Sequence, residues 1–204
     1  MARKWIWGLT TLLATLVAAY AFTSIAAPGL RTPFVADLVA VKALRTFVHL
    51  AGGGVAIVAG VFQFSSALRF RSPRVHRLLG RIYVVAVLIG GVAGGLLAPW
   101  SAGGITGHFG FGLLAVLWVG TTVAAWRSAV ARKYPAHRVW MIRSYALCLA
   151  AVTLRVYVPL SAVLGVPFES AYPAIAWLCW VPNLIVAEWL VAPGPFAPLE
   201  PASP

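Results

Sequence analysis

Four acidic side chains are all that this chain of 204 residues carries. Charged residues of both signs make up only 10% of it, where an average soluble protein has roughly 25%. Hydrophobic residues reach 61% and the mean hydropathy is +0.90, which excludes an ordinary water-soluble domain. Cysteine is almost as scarce. Cys148 and Cys179 both lie inside apolar runs, with no disulfide framework and no Cys-x-x-Cys pair. A Walker A loop, a Gly-x-Ser-x-Gly elbow, a His-Glu-x-x-His helix and a close carboxylate pair are all missing, so a kinase or hydrolase reading has no support. No long polar segment remains to build a second domain.

What is present is apolar sequence in blocks of membrane-crossing length. A spanning helix needs about 20 apolar residues at 1.5 Å each. Six such stretches run approximately over 5–26, 46–68, 82–99, 108–126, 139–160 and 171–192. Turn formers and most of the charge occupy the connectors, and a Pro-rich tail follows over 193–204. The sequence therefore predicts an all-α fold, an integral membrane six-helix bundle with helices two to five as its core. The first stretch, with Arg3-Lys4 before it and Ser24-Ile25-Ala26-Ala27 at its end, has some features of a signal peptide. Its apolar run is long for one, which favours a retained helix.

The net charge of +12 comes from 16 Lys and Arg, and their distribution is lopsided. Arg3, Lys4, Arg69, Arg71, Arg74, Arg77, Arg81, Arg127, Arg132, Lys133 and Arg138 fall on one side of the bundle, and only Arg31, Lys42 and Arg45 on the other. By the positive-inside rule both termini are expected to be cytoplasmic, in a cell inner membrane. The basic loops act as topology determinants that also touch anionic lipid, at ~1 kcal/mol per residue near the surface. Membrane lipid is the expected partner. Nucleic acid is not, because no recognition helix or aromatic-basic platform is visible.

Polar side chains are few enough that their positions inform. All four histidines fall near helix starts: His49 and His108 toward the Arg-poor side, His76 and His137 toward the Arg-rich side. Each side can thus hold one pair, from helices two and four and from helices three and five. Two neutral imidazoles on facing helices supply both axial ligands of a haem iron, and a bundle core with small residues can hold the macrocycle. Gly52, Gly53 and Gly54 follow His49, Gly107, Gly110 and Gly112 surround His108, and Gly80 lies one turn beyond His76. Propionates would find cations in Arg45, Lys42 and Arg155 on one side and in Arg77, Arg81, Arg138 and Arg143 on the other. Against this stands the reading that these histidines are interfacial polar residues and the glycines ordinary helix contacts, as the spacing of Gly90/Gly94 and Gly91/Gly95 suggests. Arg143 and Glu188 are expected to form a structural ion pair, since either alone in hydrocarbon costs at least ~2.5 kcal/mol.

The stretches His49-Leu-Ala-Gly-Gly-Gly, Gly60-Val-Phe-Gln-Phe, Arg74-Val-His-Arg-Leu-Leu-Gly-Arg-Ile-Tyr83, His108-Phe-Gly-Phe-Gly, the run from His137 to Leu147 and Thr153-Leu-Arg-Val-Tyr-Val-Pro159 together resemble the bacterial multi-pass membrane family of domain of unknown function 2306. That family carries no settled activity. A weaker architectural resemblance is to the cytochrome b-561 group, in which one histidine from each of helices two to five ligates two haems, paired two with four and three with five. His49, His76, His108 and His137 match that order, and His76-Arg-Leu-Leu-Gly80 is similar to the group's His-x-x-x-Gly pattern. The helices here are shorter and no ascorbate-binding motif is evident.

The resemblance implies a transmembrane oxidoreductase with up to two haem b groups and a quinone or another redox partner. The alternative is a non-enzymatic membrane protein without haem: a transporter, an assembly factor or a scaffold for lipid or partner.

Overall fold

The computed structural model describes residues 2–192. The Pro-rich stretch 193–204 and the side chains of Arg3 and Lys4 lie outside what it describes. Among the described residues the regular structure is helical: α1 Ala2–Ala26, α2 Pro33–Gln63, α3 Ser66–Arg71, α4 Pro73–Leu97, α5 Gly104–Val130, α6 Tyr134–Cys148, α7 Ala150–Val163, α8 Phe168–Leu178 and α9 Val181–Val191. Among the described residues these make six apolar helical spans long enough to cross a membrane, with α6–α7 and α8–α9 each forming one span.

The helices begin earlier than the apolar runs suggest. Proline is pre-organised for a first helical turn and lacks the N–H that would be unsatisfied there. It opens α2 at Pro33 and α4 at Pro73. The segment read from the sequence as a connector before helix two is therefore helix, bent at Lys42 (φ −141°, ψ 52°). Likewise His76 and His137 do not precede their helices; they lie in the first turns of α4 and α6. At the other end α2 stops at Gln63, short of Leu68. Ser65 Oγ accepts from the Leu68 N–H at 3.2 Å and starts the short helix α3 instead.

The two broken spans have local causes. Pro182 cannot hydrogen-bond to the Leu178 carbonyl, and α8 ends there. At the α6–α7 break, Thr153 Oγ1 donates to the Leu149 carbonyl at 3.2 Å, the kind of back-bonding that bends helices. Asn183 of α9 fills the opening, donating to Thr153 Oγ1 at 3.0 Å and to the Ala146 carbonyl at 3.3 Å.

Helices α2, α4, α5 and α6 close a four-membered ring. Helix α1 packs outside against α2, and α8–α9 packs outside against α5 and α6–α7. Small residues set the approaches. A Cβ on Gly52 would stand 2.7 Å from the Gly90 Cα, and Gly91 and Gly95 of α4 abut Val119 and Ala115 of α5.

Inside the ring, toward the Arg-rich end, the core is polar and filled. Tyr83 Oη lies 2.7 Å from Ser144 Oγ, which lies 2.6 Å from Thr122 Oγ1, and all three residues are fully buried. Tyr145 Oη donates to the Ile57 carbonyl at 3.1 Å. Ser144 bridges Tyr83 and Thr122, so Ser144→Ala removes the 2.7 Å bond of the buried Tyr83 hydroxyl and the 2.6 Å bond of Thr122 together. The expected loss is ~1–3 kcal/mol, read as a lower unfolding midpoint in detergent. Ser144→Thr, which keeps the hydroxyl, loses less.

Candidate functional site

Helix α2 carries three consecutive glycines, and each meets something different. Gly52 abuts α4, Gly54 meets the ring of Phe22 on α1, and around Gly53 no atom stands within 4 Å of where a Cβ would sit. Ala51 and Val55 line a groove on the outside of the bundle. Gly53 therefore shares the remaining face, toward the inside of the ring, with Ala56, Ile57 and Gly60, and with His49 one turn earlier.

His49 sits well inside α2, far deeper than the other histidines, with its Nδ1 2.9 Å from the Gly90 carbonyl of α4. Gly94 makes this seat possible, since a Cβ there would stand 2.7 Å from Nδ1. A carbonyl oxygen only accepts, so Nδ1 carries the proton and the neutral ring keeps its lone pair on Nε2. Among the described residues Nε2 has no hydrogen-bond partner.

Arg155 of α7 lies within electrostatic range of His49. Its guanidinium rests over the Tyr20 ring, 4.6 Å from the centroid, and one Nη donates to Ala151 O at 2.8 Å. Its Nε is buried and has no partner. Among the described residues the only ion pair is elsewhere, so this is an unneutralised cation within a membrane span, costing at least ~2.5 kcal/mol. Stacked rings of Phe34, Phe111, Phe168 and Tyr172 pack at the same Arg-poor end.

The other expected residues are placed differently. His108 Nε2 lies 3.1 Å from the Ser101 carbonyl, so its proton is on Nε2 and its lone pair on Nδ1. Arg45 is turned outward: it shares the Trp100 ring with Lys42 and donates to Leu96 O at 3.4 Å. Of the three cations read from the sequence as propionate partners on this side, Lys42 and Arg45 stand at Trp100 and Arg155 stands by His49.

Toward the Arg-rich end, His137 repeats the His49 arrangement, with Nδ1 2.9 Å from the Ala125 carbonyl of α5 and Nε2 without a partner among the described residues. His76 lies within electrostatic range of it and has a buried Nδ1 with no partner. Gly80 leaves no vacancy here, because Gln63 Oε1 fills it, 3.2 Å from the position of a Cβ. Arg143 is committed to Glu188 by two bonds of 2.7 Å each, and it also stacks on Trp140. Its availability to a cofactor is correspondingly reduced.

Sequence reading missed the Gly90 and Ala125 carbonyls that anchor the two imidazoles, and it missed the role of Gly94. Backbone acceptors carry no residue-type signal. The spacing of Gly90 and Gly94 was visible but reads equally as a helix contact, and Gly90, packed on Gly52, is one.

A family model described as predicted membrane protein (DUF2306) matches residues 46–191. No curated protein and no solved structure matches the chain.

Proposed function

The chain belongs to the DUF2306 family of predicted membrane proteins, and from that premise and the histidine geometry we propose that it is a b-type haem protein carrying electrons across the membrane. One observation carries the reading. His49 and His137, on different helices and toward opposite ends of the bundle, each give Nδ1–H to a backbone carbonyl of a neighbouring helix and keep an unpartnered Nε2. Metal-bound histidines are held in this way, with the second nitrogen fixing ring orientation and raising the basicity of the first.

The remaining residues take supporting roles. Gly53 leaves open the space beside His49, and Arg155, with its orphaned Nε, offers a carboxylate the charge and hydrogen bond it lacks. His108, whose Nε2 is bonded to the Ser101 carbonyl, would be the second histidine on the Arg-poor side, and His76 would be the counterpart of His137. No three His, Cys, Asp or Glu side chains converge among the described residues. The residues present would therefore hold iron only as part of a porphyrin, which brings its own nitrogen ligands. Haem b supplies a one-electron centre whose potential responds to axial ligands, nearby cations and burial. The Arg-poor site has the better claim, because the filled Tyr83–Ser144–Thr122 core limits room below His76 and His137. The cation asymmetry supports an inner-membrane location with cytoplasmic termini, and a quinone or a redox protein would exchange electrons with the chain.

The test is optical. Protein purified from haem-replete cells should carry a Soret band and, on dithionite reduction, the sharp α band of six-coordinate haem b. Well-folded, colourless protein that gains no such spectrum with added haemin overturns the proposal and leaves the non-enzymatic reading.

A further inference from the structure

Helix α4 is flanked on its outer surface by two apolar grooves. One, of about 530 Å³, lies between α2 and α4, with Val48 and Val55 opposite Val85 and Ile89 over a floor of Gly52 and Ala86. The other, of about 380 Å³, lies between α4 and α5 and is lined by Val84, Leu88, Val123 and Trp126. Arg81 and Val85 line both. Arg81 thus stands at the head of the two grooves and Val85 forms the ridge between them. We propose that this is a site for one anionic diacyl phospholipid, its phosphate on Arg81 and one acyl chain in each groove.

The floor of the first groove follows from the Gly52–Gly90 contact, which draws α2 and α4 together and leaves no side chain to fill the crease. From Arg81 to Ile89 the groove covers eight residues of helix, about 12 Å of rise. Half the hydrocarbon core is about 15 Å, so the grooves hold most of one leaflet's depth of acyl chain. The charge fits the headgroup. Arg81 is exposed and has no ion pair among the described residues, Arg77 and Arg74 follow one and two turns toward the helix start, and neither α4 nor α5 contains an acidic residue. Trp126 is placed at the same end, where interfacial tryptophans sit. Two grooves under one cation fit a lipid with two chains, and a single-chain amphiphile would fill only one. The site is separate from the histidines and does not rest on haem.

Native mass spectrometry of the full chain, released from vesicles of mixed phosphatidylethanolamine and phosphatidylglycerol, tests this. Phosphatidylglycerol should be retained above its share of the vesicle. Arg81→Gln lowers that enrichment about fivefold, the equivalent of the ~1 kcal/mol a cation contributes near an anionic lipid. Arg81→Lys retains most of it, and Arg71→Gln, on the same side but outside the grooves, leaves it unchanged. Should Arg81→Gln fail to fold, wild-type protein decides the matter: it should hold phosphatidylglycerol in preference to the single-chain lysophosphatidylglycerol. Equal retention of the two headgroups, equal retention of the one-chain and two-chain forms, or an equal loss in Arg71→Gln overturns the site.

Discussion

His49→Ala should remove the pigment of the Arg-poor site, leaving about half the haem per protein if both sites load. Under the proposed haem reading, His49 is the histidine best prepared in advance to ligate. Its ring is seated by Gly94, its tautomer is set by the Gly90 carbonyl, and Gly53, one turn further along the same helix face, leaves room. His108→Ala should cost less pigment at the same expression level, because the Nε2 of His108 is engaged with Ser101 and contributes only after rearranging. Gly94→Leu provides a check that spares both histidines: it drives a side chain into the imidazole seat and should reduce pigment as His49→Ala does. Haem content by pyridine haemochrome, scaled to protein, reads all three. Equal haem content in wild type and His49→Ala would remove His49 from the site.

Gly52→Ala and Gly53→Ala, adjacent substitutions of the same chemistry, should change the stability of the haem-free protein in opposite directions. A methyl at Gly52 would stand 2.7 Å from the Gly90 Cα and 2.8 Å from the Ala86 carbonyl oxygen, both of them backbone atoms that no rotamer change can move. Helices α2 and α4 must separate, at an overpacking cost of ~1–3 kcal/mol. Separation also stretches the bond from His49 to Gly90, so pigment retention should fall in Gly52→Ala as well. At Gly53 a methyl meets nothing within 4 Å. There the substitution removes only glycine's entropic penalty in a helix, a gain of roughly 0.5–1 kcal/mol. Unfolding midpoints of the two apo-variants in one detergent compare the effects directly. A destabilised Gly53→Ala would mean that the space beside His49 is not open.

Much of the fold was legible because the membrane imposes it. Apolar runs of sufficient length must be helical, since lipid offers no partner for backbone N–H and C=O groups, and six runs gave six spans. The boundaries were less legible. Pro33 and Pro73 start helices several turns before hydropathy rises, so α2 takes in Lys42 and Arg45 and α4 takes in Arg74, Arg77 and Arg81. Hydropathy measures the solvent a residue prefers, and a helix can run on through the headgroup layer.

The candidate site divides along the same line. From sequence alone came the four histidines, the intramembrane arginines and the pairing of Arg143 with Glu188, because in so apolar a chain every polar side chain stands out and an opposite charge one helix away is its cheapest neutraliser. Tertiary structure alone decided which of those groups are still free to act. Imidazole tautomers depend on the carbonyls opposite them, and only packing turned His49 and His137 toward Gly90 and Ala125 while turning His108 toward Ser101. Packing likewise gave Arg143 its carboxylate and, among the described residues, left Arg155 without one. Adjacent glycines are identical in sequence, and only the neighbouring helices made Gly52 a contact and Gly53 a space.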